Sequence, residues 1–81
     1  MSTSEIIKQR LKDSNTRYWA GDNISQHIRE GEHQLLIEEL TPKFEAVLDS
    51  LIIDRFNDPN SMDTGRRLAK MYINELMSGR Y

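Results

Sequence analysis

From Glu32 onward, apolar residues recur at three- and four-residue intervals, the spacing of one face of an α-helix. Leu35, Leu36, Leu40, Phe44, Val47, Leu48, Leu51 and Ile52 keep that phase and predict a long helix over about residues 32–54. Ile37 falls off the stripe and points to a second packing face. Pro42 removes one backbone donor and crowds the carbonyl four residues back, so the helix kinks there or restarts with Thr41 as its cap. The stripe holds its phase across the proline, which favours one kinked helix. Glu39 and Lys43 add a favourable pair four residues apart, worth about 0.2–0.5 kcal/mol.

A second stripe, Leu68, Ala69, Met71, Tyr72, Leu76 and Met77, predicts a helix over about 64–78. Thr64 is its expected cap, and Gly79 its left-handed stop. Between the helices, Asn57, Asp58, Pro59, Asn60, Ser61 and Asp63 are turn formers. A connection of this length folds the helices back as an antiparallel pair. Phe44, Leu48 and Leu51 then face Leu68, Met71, Tyr72 and Leu76, and an aspartate at Leu68 or Met71 would break the pair because a buried unpaired charge is costly. Each stripe is wider than one partner can hide, so the pair needs a further cover. Three covers are open: the N-terminal segment, a second copy, or the rest of a larger protein.

The first thirty-one residues read as a leader of short helices, preceding a hairpin over residues 32–81. Ser2-x-x-Glu5 fits a capping box, Ile6, Ile7 and Leu11 could share one face, and Asp13, Ser14 and Asn15 break the helix. Arg17 to Gly21 reads as an aromatic loop in which Trp19 is a packing anchor. Asn23 with Gln26 repeats the capping signature for a short helix carrying Ile24, His27 and Ile28 and stopping near Gly31. The expected class is all-α.

Composition narrows the function classes. The 81 residues allow one small domain, with 37% apolar and 30% charged residues. Eleven basic and thirteen acidic residues give a net charge of −2, and nucleic-acid binders normally show a basic excess. There is no cysteine, so neither a disulfide framework nor a thiolate metal site is available. No apolar run approaches membrane-spanning length, and the start of the chain lacks the layout of a signal peptide. A soluble, cytoplasmic protein is the expectation.

Candidate chemistry is sparse. His27 and His33 are the two histidines, six positions apart with Gly31 between, an offset that does not place them on one helix face. A zinc site needs three or four convergent ligands, and they read as surface or packing residues. Asp58, Asn60 and Met62 fall on the first positions of a calcium loop whose required glycine and glutamate are missing. Arg66, Arg67, Lys70 and Asn74 could face a nucleic-acid groove, but the acidic balance and the long preceding loop oppose that reading. Arg66, Arg67 and Lys70 sit near the start of a helix, where the macrodipole disfavours cations. They form either a solvated face ion-paired to the acidic loop or a contact for an anion or acidic partner.

The order of residues over the last third carries one resemblance. Asp63, Thr64, Arg67, Leu68, Ala69, Lys70, Met71 and Tyr72, followed by Ser78, Gly79 and Tyr81, resemble the N-terminal helical region of GTP cyclohydrolase I. That family has a Thr-Pro-x-Arg-(Val/Leu)-Ala-x-Met-Tyr helix ending in a Ser-Gly-(x)-Tyr turn. The run from Glu32 resembles the long helix before it, and Gly65 departs from the pattern, where proline is common. The resemblance implies a parent enzyme that converts GTP and water to 7,8-dihydroneopterin triphosphate and formate, at the start of folate or biopterin synthesis. It also implies an α+β tunnelling fold, a decameric assembly, and zinc held by two cysteines and a histidine downstream of the Ser-Gly-x-Tyr turn. No catalytic or zinc-binding residue of the family can be carried onto this chain. The expected function is therefore packing and assembly; the alternative is a stand-alone helical interaction or regulatory module.

Overall fold

The computed structural model describes residues 1–81; its regular elements are all helical, with no strand. Three α-helices, α1 (Thr3–Asp13), α2 (Glu32–Ser50) and α3 (Thr64–Met71), are supplemented by a 3₁₀ turn at Ser25–His27 and a π-helical turn at Tyr72–Leu76. The order of contacts makes α3 run back along α2. Gly65 lies against Thr41 and Glu45, whereas the Tyr81 carbonyl reaches His33 in the first turn of α2.

Local chemistry accounts for the ends of α1. The Ser2 hydroxyl accepts from the Glu5 N–H at 3.3 Å, as the capping signature predicts. At the other end, Asn15 takes a left-handed conformation (φ 53°), and the N–H groups of Asn15 and Thr16 donate back to Lys12 and Leu11. Those two bonds satisfy carbonyls the helix end would leave orphaned. Glu5 in the first turn and Arg10 and Lys12 in the last complement the macrodipole.

The long helix runs unbroken through Pro42 for 19 residues. Next to the proline, the Thr41 hydroxyl donates to the Ile37 carbonyl at 2.7 Å. The carbonyl of Glu38, deprived of its donor by the proline, belongs to an exposed residue that water can reach. The expected pair between Lys43 and Glu39 is present at 3.6 Å. Glu39 has a second role: its carboxylate accepts from the Ser4 N–H at 2.8 Å and the Ser4 hydroxyl at 2.5 Å, tying α2 to the first turn of α1.

This helix ends at Ser50, four residues before the sequence pattern predicts, because the backbone turns over at Ile52. Ile52 has φ 62°, and the N–H groups of Ile52 and Ile53 donate to the carbonyls of Asp49 and Leu48. The bonding is that of the α1 terminus, but a β-branched residue occupies the position that suits glycine. Its side chain is 93% exposed and gains nothing from packing.

Seven buried residues form the core: Ile7, Leu11, Ile24, Leu36, Ile37, Ala69 and Ile73. The segments before and after Gly31 thus share one interior, and α1 supplies part of the cover the helix pair needs. Ile7 and Leu11 are buried as expected, whereas Ile6 is exposed. Ile37 is buried, so α2 does have a second packing face. Trp19 is not an anchor: its ring is 70% exposed and lies under the Arg17 guanidinium at 4.2 Å. The short helix expected after Asn23 is a 3₁₀ turn, where the Asn23 carboxamide oxygen accepts from the Ser25 N–H at 2.8 Å.

One charged cluster is enclosed. Glu32 is buried and accepts from both terminal nitrogens of Arg10 at 2.6 and 2.9 Å and from the Arg29 N–H at 2.7 Å. Arg10 also donates to the His27 carbonyl at 2.5 Å, so the pair joins α1, the 3₁₀ turn and α2. Every buried side-chain polar atom has a partner.

The molecule measures 46 × 25 × 22 Å, with a radius of gyration of 14.5 Å. A compact chain of this length would have about 12 Å. The end of α2 and the following loop leave Val47, Leu51, Ile52 and Phe56 exposed.

The tight contact at Gly65, the strained Ile52 and the enclosed Glu32 can each be tested by substitution. A Cβ at position 65 would lie 2.6 Å from Glu45 Cγ and 3.2 Å from the Thr41 carbonyl oxygen. Gly65→Ala should therefore lower the unfolding free energy by about 1–3 kcal/mol, whereas Ile52→Gly should raise it by about 1 kcal/mol by relieving the left-handed strain; urea melts report both. Arg10 hydrogen bonding holds the Glu32 carboxyl at about 2, below its ordinary value of 4.5. Because the folded value is the lower one, this stabilisation is present above pH 4.5 and fades as pH falls towards 2. Glu32→Gln should cost about 2 kcal/mol at neutral pH, and its melts should converge on those of the parent across that acid window.

Candidate interaction face on the third helix

The buried stripe of α3 differs from the one that counting large apolar residues suggests. Gly65, Ala69 and Ile73 recur every four residues and are all buried, with Ala69 at 0% exposure. Ile73 falls outside the expected stripe, and Gly65 reads in sequence only as a poor first-turn residue. Together they form a small-small-large ridge that brings the α3 backbone against α2. Leu68 and Met71 are half-buried at its margins, and Tyr72 and Leu76 are exposed. The Tyr72 ring still stacks on Phe44, with centroids 5.2 Å apart.

Both ends of the predicted second helix need correction. Thr64 is not a cap: Asp63 holds that position, and the Thr64 hydroxyl donates to the Asn60 carbonyl at 3.2 Å. The regular helix stops at Met71 and continues as a π turn to Leu76, with the Met77 N–H reaching the Tyr72 carbonyl. Gly79 is exposed and is not left-handed; the positive-φ glycine of the chain is Gly31, just before α2. The turn at Ser78 closes through the Arg80 N–H and the Met77 carbonyl.

Arg80 and Tyr81, beyond that turn, act as a strap. Arg80 donates to the carbonyls of Trp19 at 2.5 Å, Asp22 at 2.9 Å and Tyr18 at 3.2 Å, and its own carbonyl accepts from the Ile24 N–H. Tyr81 packs against the core, and its carbonyl accepts from His33 Nε2 at 3.0 Å, which places the ring proton on that nitrogen. His27 Nε2 lies 3.4 Å from the Thr16 hydroxyl, away from His33, and no three His, Asp or Glu side chains converge on a metal-sized site. The two-cysteine, one-histidine zinc set of the resembled family therefore does not fit these residues.

The basic residues sit as follows. Arg66 and Arg67 are exposed and Lys70 is half-buried; none makes an ion pair. The acidic loop does not neutralise them: Asp54 and Asp58 bond locally, and Asp63 makes neither an ion pair nor a side-chain hydrogen bond. Asp54 accepts from Asn57, which holds its carboxyl below the ordinary range, and Asp58 accepts from the Asn60 N–H and the Ser61 hydroxyl. Arg55 is engaged by Asp49 on two nitrogens and by Glu45 on the third. Arg67 borders an open groove of about 350 Å³ with Asn60, Thr64, Leu68 and Met71. Arg66 and Lys70, four residues apart, lie outside that groove. The groove thus brings one guanidinium, the Thr64 hydroxyl and two half-buried apolar side chains together.

Among the residues that carry the resemblance, Ala69, Tyr72 and Tyr81 have packing roles, Met71 and Thr64 border the groove, and Ser78 and Gly79 form the exposed turn. The chain matches no protein-family model, no curated protein and no solved structure. No helix is long and apolar enough to cross a membrane.

The ridge and the basic surface should respond differently to substitution. Ala69→Asp should abolish the cooperative thermal transition, since it buries an unpaired charge at the crossing. Arg66→Gln with Arg67→Gln should change stability by no more than about 0.5 kcal/mol. Circular dichroism melts distinguish the two.

Proposed function

We propose that this chain is the helical N-terminal part of a GTP cyclohydrolase I, serving packing and assembly and carrying none of the reaction's chemistry. The observation that supports this most is the order of residues from Asp63 to Tyr81, in which the family's Thr, Arg, Ala, Met and Tyr spacing leads to a Ser-Gly-x-Tyr turn. The exposed apolar residues Val47, Leu51, Tyr72 and Leu76 are consistent with a fold completed by further protein. On this reading the zinc, the tunnelling fold and GTP turnover to 7,8-dihydroneopterin triphosphate and formate belong to the catalytic part, in a cytoplasmic decamer at the head of folate or pterin synthesis. Arg66, Arg67 and Lys70 then meet an acidic partner surface. Gly65 stands against the simplest transfer of the family pattern, because proline there would bring a Cβ into Glu45.

A stand-alone interaction module is the second reading, favoured by a core drawn from all three helices with no unsatisfied buried side chain. The chain should be mixed with a GTP cyclohydrolase I catalytic portion lacking its own helices, and with the intact enzyme, and complexes weighed by native mass spectrometry. The first reading predicts binding to the truncated enzyme and no formate release by the chain alone. Binding to the intact enzyme alone would replace it with the module reading, and binding to neither would overturn it.

A further inference from the structure

A cleft enters the core between α1, the 3₁₀ turn and the strap. It holds about 130 Å³ and is lined by Ile7, Leu11, Ile24, Ile28, Leu36 and Tyr81. That space is close to the roughly 150 Å³ of an apolar cavity able to take a benzene ring. Its walls are positioned independently of one another. Ile7 and Leu11 lie one turn apart on α1, the Arg10–Glu32 pair fixes the 3₁₀ turn, and the Arg80 strap holds Tyr81 in place.

The charged side chains at the rim are both basic. Lys8 and Arg80 border the cleft, and no Asp or Glu side chain lines it. The Arg80 guanidinium is committed to backbone carbonyls, whereas Lys8 makes no ion pair. Nearby, the Ser4 hydroxyl is spent on Glu39, whose carboxylate is in turn paired with Lys43. A small apolar cleft bordered by a lysine that makes no ion pair suits a ligand with an apolar body and an anionic head.

We propose that this cleft is a binding site for small aromatic or branched aliphatic carboxylates, the apolar body seated among Ile7, Leu11, Ile24 and Leu36 and the carboxylate held at the mouth by Lys8. The site stands apart from the assembly reading, since it needs neither the basic residues of α3 nor a second protein.

The test is titration of the ¹⁵N-labelled full chain with benzoate and, as a neutral control, benzyl alcohol. Saturable shifts confined to the amides of Ile7, Lys8, Leu11, Ile24 and Tyr81 are expected, with a dissociation constant on the order of 1 mM. Benzoate should bind about two- to five-fold more tightly than the alcohol, and Lys8→Gln should erase that preference while leaving the alcohol unaffected. Ile28→Phe, which fills the cleft, should remove binding of both. Non-saturating shifts, or shifts centred on Val47, Leu51 and Ile52, would overturn the site. Equal binding of acid and alcohol, or a preference surviving Lys8→Gln, would overturn the assignment to carboxylates.

Discussion

The approach of α3 to α2 at Gly65 leaves no room for a side chain, and the rest of the packing depends on it. With no side chain at 65 and a methyl at 69, the α3 backbone comes within van der Waals reach of Thr41 and Glu45. Ile73 can then enter the same interior as Leu36 and Ile37. Glu45 cannot easily move aside, because Arg55 holds its carboxylate at 2.8 Å and is itself locked to Asp49. A wall of fixed atoms is therefore pressed against a glycine. Close packing of this kind gains dispersion contacts that a wider helix separation would forfeit.

The N-terminal segment joins that core through polar contacts as much as apolar ones. The Arg10–Glu32 pair fixes one end of α1 to α2, and Ser4–Glu39 fixes the other. Both are charge-assisted and at least partly shielded, so both have the geometry in which such bonds are strong. At the opposite end of α2 the charged contacts are those of Arg55 with Asp49 and Glu45 of the same helix. There the helix turns over at a strained isoleucine and leaves apolar side chains in water. One half of the molecule is thus tied to α1 by charge-assisted bonds, and the other leaves apolar side chains exposed.

Much of this was readable from residue order. The capping box at Ser2, the stop at Asn15, a single long helix through Pro42 and the turn residues around Pro59 are local effects, and local chemistry decides them. The ridge of α3 was not readable by the same means, because a glycine and an alanine add almost nothing to an apolar stripe. Spacing small residues four apart was the available signal. Glu32 is a charge that sequence logic places in water, and its partner lies twenty-two residues earlier in the chain. The Arg80 strap likewise joins segments about sixty residues apart. Trp19 fails for the opposite reason: its size suggests an anchor, but its loop is held by the Arg17–Asp22 pair without it. At the candidate site, the exposure of Arg66 and Arg67 was legible. Their lack of acidic partners was not, since Asp54 and Asp58 are turned to bonds within the loop and Asp63 reaches neither arginine.

The most direct test of a single shared core is residue-resolved native-state hydrogen exchange. A core spanning all three helices predicts that the amides of Leu11, Leu36 and Ala69 open together, with one free energy equal to that of global unfolding. Exchange of α1 at a much lower free energy than α2 and α3 would contradict it, reducing the first thirty-one residues to a loosely attached leader.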